Sequence, residues 1–267
     1  PLNEGTIIKS DNALQIEWNV RAKFDIETGA DVHPSFNFIL GNPPFIGKQL
    51  QTTEQKEDMK LVFKNVKGAG VLDYVAAWYI KASQYNQVHP STKIGLVSTN
   101  SITQGEQPGI LWNELFNNYK MKMIYAHRTF KWHNEAEGVA AVHCVIIGFT
   151  MNNENIPKTK PLFDYTSVDS EPKKINAKNI NPYLINAPDV VVLKRRKPLC
   201  DISEISFGNM PNDGGNFLLS ADEKKEFLKI EPGAKSILKP ILSAHEYLNG
   251  KKRYCIWLNG VNTTRIN

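Results

Sequence analysis

Apolar residues in the first two thirds of this 267-residue chain follow two alternating patterns. Short, dense runs bounded by turn formers stand at 36–41 (FNFILG), 93–99 (KIGLVST), 122–130 (KMIYAHRTF) and 139–149 (VAAVHCVIIGF). Runs of this length, rich in β-branched residues, predict buried strands of the parallel kind. Between the first two, residues 71–88 (VLDYVAAWYIKASQYNQV) repeat at the period of a helix and set Leu72, Val75, Ala76, Tyr79 and Ala82 on one face. A second helix is predicted over 108–119, with Pro108 in the first turn, where a backbone N–H is not needed, and Leu111, Leu115 and Phe116 pointing inward.

Strand, helix, strand, helix, strand is the order of a parallel α/β sheet with right-handed crossovers. The connection KWHNEAEG is too short for a crossover helix, so 122–130 and 139–149 are expected to form an antiparallel hairpin with a long loop. Beyond residue 150 the texture changes. MNNENIPKTKP and DSEPKKINAKNINP are polar, lysine-rich and punctuated by proline, and predict loops at a domain edge. From Ala187 the chain has a different vocabulary: KRRKP, FGNMPNDGG, the helical stretch SADEKKEFLK, and KKRYCIWLNG. The expected organisation is therefore one domain over 1–186 and the start of a smaller one over 187–267.

Composition narrows the function classes only a little. A net charge of +5 is compatible with an anionic partner but does not select one. No apolar run reaches the length of a membrane span, and no signal-peptide pattern opens the chain. Cys144, Cys200 and Cys255 are far apart and form no CxxC pair, which argues against a zinc knuckle or a disulfide framework and for a reducing, cytoplasmic setting. His127, His133, Glu135, Glu137 and His143 have no standard metal spacing, and strand alternation scatters them, so no metal is expected.

The stretch with the most chemistry is Asn42-Pro43-Pro44-Phe45, directly after the first predicted strand. Two prolines fix φ and remove two donors, leaving carbonyls outside any ladder. A rigid turn at that position sits at the carboxyl edge of the sheet, where α/β proteins bind ligands. The Asn42 side-chain carbonyl and the Pro43 carbonyl are two fixed acceptors that suit an exocyclic amine, and Phe45 offers a face for a base. A strand-ending turn with an aromatic plug is the bland alternative for so short a string.

The segment resembles motif IV of the class I, S-adenosylmethionine-dependent amino-methyltransferases, whose (D/N/S)PP(Y/F) turn holds the target amine. Other stretches agree in order with the gamma-type adenine DNA methyltransferases. SDNALQIEW (10–18) resembles motif III, LDYVAAWYIKA (72–82) motif V, KIGLVSTNSITQGEQ (93–107) motif VI, and AHRTF with AAVHCVIIGF motifs VII and VIII. The phrases GNPPFIG, STNSITQGEQ and FGxMPxDGG, the last as Phe207–Gly215, are similar to those of the MmeI-like single-chain restriction–modification enzymes.

The resemblance implies a partial Rossmann-like methyltransferase sheet and an adenine-N6 activity on double-stranded DNA with S-adenosyl-L-methionine as cofactor. By position, Asn42, Pro43, Pro44 and Phe45 would form the catalytic turn, and Asp11, Asn12, Ala13 and Asn42 would meet the cofactor. Phe45, Phe130 and Trp132 would stack on the extruded base, which must leave the duplex because Watson–Crick pairing locks its amine. Lys194, Arg195 and Arg196, in the run LKRRKP, would meet the DNA backbone. The tail would open a target-recognition domain.

No FxGxG-type glycine loop for the methionine end of the cofactor occurs in the sequence, so the chain is expected to be an internal piece of a longer polypeptide. Asp169, Glu171 and Lys173 are too cramped for a nuclease centre. NPP(F/Y) turns also serve enzymes that methylate ribosomal RNA or protein glutamine. That alternative stays open here, as does a DNA-binding fragment without activity.

Overall fold

A computed structural model describes residues 8–18, 36–132, 142–151, 156–195, 197–202 and 213–261, and the backbone of 24–25 and 30–31. It divides into two compact units, Pro1–Arg196 and Lys197–Asn267.

In the first unit, β1 (Phe24–Asp25) and β2 (Ala30–Asp31) make a short antiparallel ribbon. The main sheet holds β3 (Phe38–Gly41), β4 (Lys93–Thr99), β5 (Met121–Trp132), β6 (Val142–Met151), β7 (Lys160–Asp164) and β8 (Lys173–Ala177). Their spatial order is β3-β4-β6-β5-β7-β8. Pairings β3–β4 and β5–β7 are parallel, whereas β6 is antiparallel to both β4 and β5. Four of the six strands therefore run one way, with β6 and β8 opposed.

Among the described residues this unit has three α-helices, α1 (Thr53–Phe63), α2 (Ala76–Val88) and α3 (Gln107–Asn117). Thr52 and Gln55 close a reciprocal capping box that starts α1. Tyr79 of α2 lies flat on Phe149 of β6 at 5.2 Å, and Trp112 of α3 meets both rings edge-on at 6.0 Å. All three are fully buried, and a buried side chain of that size contributes about 1.5–3 kcal/mol. Buried Asn86 stitches the far end of the sheet. It donates to the His89 and Thr92 carbonyls at 2.8 and 2.9 Å and accepts the Met151 N–H at 2.6 Å.

The second unit packs α4 (Ala221–Ile230) and α5 (Ala244–Asn249) with β9 (Leu218–Ser220), β10 (Leu238–Ile241) and β11 (Arg253–Ile256). Its antiparallel order is β10-β11-β9. Ser220 and Glu223 cap α4, Ser243 and Glu246 cap α5, and Gly250 stops α5 at φ 61.

Several expectations need correction. β3 is expected to be buried, but among the described residues it is the edge strand of the sheet, and Phe38 and Leu40 are 62% and 77% exposed. The β5–β6 hairpin forms, yet β6 inserts between β4 and β5, so β5 does not pair with β4. The lysine-rich stretches after residue 150 are not only loops, because they contain the start of β7 and all of β8. The predicted first helix begins later, at Ala76, although Leu72 and Val75 are buried as expected.

Candidate active site at the carboxyl edge of the sheet

Because β3 and β4 are parallel, the segments after them, 42–47 and 100–103, leave the sheet at one edge. Thr99 of β4 pairs with Cys144 of β6, and Cys144 pairs with Phe130 of β5. The same edge thus gathers the NPPF turn, the end of β4 and the aromatic end of β5. From β3 to β5 is three strand spacings, about 14 Å.

In the turn, Asn42 and Pro44 are exposed, Pro43 is buried and Phe45 is half-buried. Among the described residues, neither the Asn42 amide nor the Pro43 carbonyl has a hydrogen-bond partner. The Pro44 carbonyl accepts the Ile46 N–H at 3.2 Å. Downstream, the Ile46 carbonyl accepts the Tyr74 N–H at 2.9 Å, and the Asp73 carboxylate accepts the Lys48 N–H at 3.1 Å. The turn therefore holds two acceptors without a hydrogen-bond partner among the described residues, one on exposed Asn42 and one on buried Pro43, on a segment fastened behind them.

Residues 11–13 are organised differently. Asn12 opens a helical turn, its side-chain carbonyl accepting the Leu14 N–H at 3.0 Å while its Nδ2 donates to Asp58 at 2.9 Å. Asp58 also receives Gln15 Nε2 at 2.8 Å and the Tyr74 hydroxyl at 2.6 Å. Burial pushes the Asp58 carboxyl up, but these three hydrogen bonds outweigh it and hold the group below its ordinary value. The Ala13 carbonyl accepts the Trp18 indole N–H at 2.8 Å. Asp11 is exposed; one of its oxygens accepts the Asn12 N–H at 2.8 Å, and the other has no partner among the described residues.

At the other end of the edge, half-buried Phe130 stacks on Tyr165 at 5.5 Å and lies 6.1 Å from Trp132, which is 38% exposed. His127 stacks on Phe163 at 4.2 Å, and its Nδ1 is 2.8 Å from the Tyr165 hydroxyl. Burial lowers the His127 pKa and raises the Cys144 thiol to about 11, which leaves that cysteine an inert core residue. Of the other metal candidates, His143 is exposed, and His133, Glu135 and Glu137 lie outside the described residues. Among the described residues no three His, Cys, Asp or Glu side chains converge as a metal site.

Lys194 pairs with Glu106 at 2.8 Å, Arg195 is exposed, and Arg196 lies outside the described residues. The chain before them runs along the first unit. Asp189 contacts Lys122 and, at 2.6 Å, Asn179, and Gly109 of α3 lets the Val192 carbonyl approach where a Cβ would sit only 2.5 Å away. Asp73, Ser101 and Tyr165 also stand in or beside this site, with no motif of their own to mark them. Asp73 lies in the motif V-like stretch and Ser101 in the motif VI-like one, but nothing local reveals what they bind.

An α/β sheet with one antiparallel strand slotted between codirectional strands, and an NPPF turn at its carboxyl edge, is the partial methyltransferase-type sheet that the motifs implied. The chain belongs to the MmeI family. The model of the MmeI DNA-methyltransferase domain matches residues 1–164, and that of the MmeI target recognition domain matches 186–267. DNA methyltransferase A of Bacillus subtilis (strain 168) is 36% identical over the whole chain, which covers 28% of that protein. The solved structure of the Type IIL restriction-modification enzyme MmeI in complex with DNA is 43% identical and superposes with a TM-score of 0.83, over 97% of this chain and 33% of that one. The chain thus spans a third or less of the length of these relatives.

Proposed function

We propose that the protein carrying this chain is a site-specific DNA methyltransferase, acting on the exocyclic amine of an adenine flipped out of the duplex, in a cytoplasmic restriction–modification system. The observation that carries this reading is the pair of unengaged acceptors, Asn42 Oδ1 and the Pro43 carbonyl, on a proline-stiffened turn at the sheet edge. Two acceptors on the two amine hydrogens draw the nitrogen toward a tetrahedral shape and free its lone pair. Positioning and electrostatics of this kind supply most of the rate in such transfers. Phe45 stacks on the extruded base from one side, and Phe130 or Trp132 serves as the second aromatic wall. Aromatic faces accept any base, so hydrogen bonds at Asn42 and Pro43 supply the preference for an amine.

S-adenosylmethionine, when bound, supplies an electrophilic methyl group. The donor set in this chain fits part of it: the open Asp11 carboxylate oxygen would accept from the adenine amine or ribose hydroxyls, with Ala13 beside it. Asn12 acts mainly as the cap that shapes this turn, since its side chain is engaged with Leu14 and Asp58. Arg195, with Lys251 and Lys252 of the second unit, is exposed and would contact phosphates, while Lys194 would first have to leave Glu106.

The test is transfer of tritiated methyl from S-adenosylmethionine to unmethylated DNA by the intact protein. Asn42→Ala is expected to lower the rate by about 100-fold or more while leaving DNA affinity intact. Transfer to RNA or protein glutamine, with none to DNA, overturns the reading.

A further inference from the structure

The NPPF turn is rigid within itself, but its prolines also deprive it of two main-chain donors that could anchor it. What fixes it lies elsewhere. One oxygen of the Asp73 carboxylate accepts the Lys48 N–H at 3.1 Å, behind the turn, and the other accepts the Ser101 hydroxyl at 2.5 Å. Ser101 shares a 2.7 Å hydrogen bond with Thr99, the last residue of β4. One carboxylate thus joins the segments that follow two adjacent parallel strands. Its own N–H is held by Gln107 Oε1 at 3.0 Å, at the start of α3. The flanking residues repeat the contact: Tyr74 N–H binds the Ile46 carbonyl, and the Leu72 carbonyl accepts Gln51 Nε2 at 3.0 Å.

Asp73 is 9% exposed, and its carboxylate is engaged by the Lys48 N–H and the Ser101 hydroxyl. An apolar side chain of the same length would fill the space. What it could not do is accept from the Lys48 N–H and the Ser101 hydroxyl together. That N–H lies in a part-buried place, and once unpaired its simplest relief is for the turn to swing toward water. The acceptors at Asn42 and Pro43 lie six and five residues upstream of Lys48 on the same segment and would move with it.

We infer that Asp73 is a positioning residue, whose carboxylate clamps the Lys48 amide against Ser101 and so sets where the Asn42 and Pro43 acceptors stand. The functional side of this inference rests on the methyltransferase reading; the structural side does not. An asparagine at 73 keeps both contacts. Its Oδ1 accepts the Lys48 N–H, and its Nδ2 donates to Ser101, whose hydroxyl then turns to donate to Thr99. A leucine keeps only the volume.

The experiment compares Asp73→Asn and Asp73→Leu in the intact protein by two measurements, hydrogen–deuterium exchange and single-turnover methylation of unmethylated DNA. In Asp73→Leu, exchange is expected to accelerate in peptides covering 46–51 and to stay unchanged over 77–83 and 94–99. The methylation rate should fall by about 100-fold, the loss that a displacement near 1 Å brings, with DNA affinity unaltered. Asp73→Asn should restore both to near the parent values. Unchanged exchange at 46–51 in Asp73→Leu overturns the clamp, and faster exchange throughout the sheet assigns Asp73 to general stability instead. If the unaltered protein methylates no DNA, the proposed function fails, while the exchange data still decide the clamp.

Discussion

The two faces of the six-stranded sheet are built on opposite plans. One face is covered by helices and filled by interdigitated bulk: Ile94, Leu96, Met123, Val145, Ile147 and Phe149 meet Tyr79, Leu111 and Trp112 without exposure. The other is paved by aromatic rings from the sheet itself. Tyr125 lies so close over Gly148 that a Cβ there would sit 2.0 Å from its ring, and its hydroxyl would be 2.8 Å from a Cβ on Gly95. His127, Phe163 and Phe130 continue the paving across β5 and β7. At β3 it stops, and Phe38 and Leu40 face outward. A helix-covered face draws its stability from volume, whereas a ring-paved face depends on where side chains are missing.

The contrast can be broken at graded cost. Phe149→Ala on the helix-covered face removes the ring stacked on Tyr79 and should destabilise the chain by about 3–5 kcal/mol, read from urea midpoints. Gly148→Ala adds one methyl where Tyr125 lies and should cost about 1–3 kcal/mol. Combined with Tyr125→Ala it should cost less than the two single changes added, because the clash disappears with the ring. Equal additivity would mean that the ring does not depend on the glycine.

A pH test addresses the same paving. Burial lowers the His127 pKa from its ordinary value of 6.5, so the folded state resists protonation. The associated stability is fully present above the unfolded value and is lost as pH falls through the lower folded one. His127→Phe keeps a ring on Phe163 and should flatten the decline in stability as pH falls below 6.5. The smallest effect belongs to the unpaved corner: Leu40→Ala should change the stability of this chain by less than about 0.5 kcal/mol. A loss several times larger would show that Leu40 is covered.

Much of the fold was legible because dense apolar runs and a helical period survive without context. FNFILG announced a strand but not which of its faces would be covered, since alternation says nothing about neighbours. β7 and β8 were hidden by composition. Lys160 looks like a loop residue, yet it is buried because its ammonium reaches Asn179 at 2.7 Å in a network that includes Asp189. α1 was missed although Thr52 and Gln55 spell a capping box, because its apolar face is interrupted by the buried Asp58. In the site, Asn42 to Phe45 could be found as a local string. Asp73 could not, since its partners Lys48 and Ser101 are 25 and 28 residues away and only folding brings them together.

The strand order has a consequence for how this chain must assemble. β6 fills the gap between β4 and β5, both of which precede it in the sequence. A growing chain therefore cannot zip the sheet strand by strand. Until Val142–Met151 has been synthesised, β4 and β5 have no shared neighbour, and each exposes an unpaired edge. Such delayed, non-local pairing slows folding and leaves a template for association with other chains. Production of this protein should therefore be most vulnerable while the ribosome is still completing the hairpin that closes the sheet.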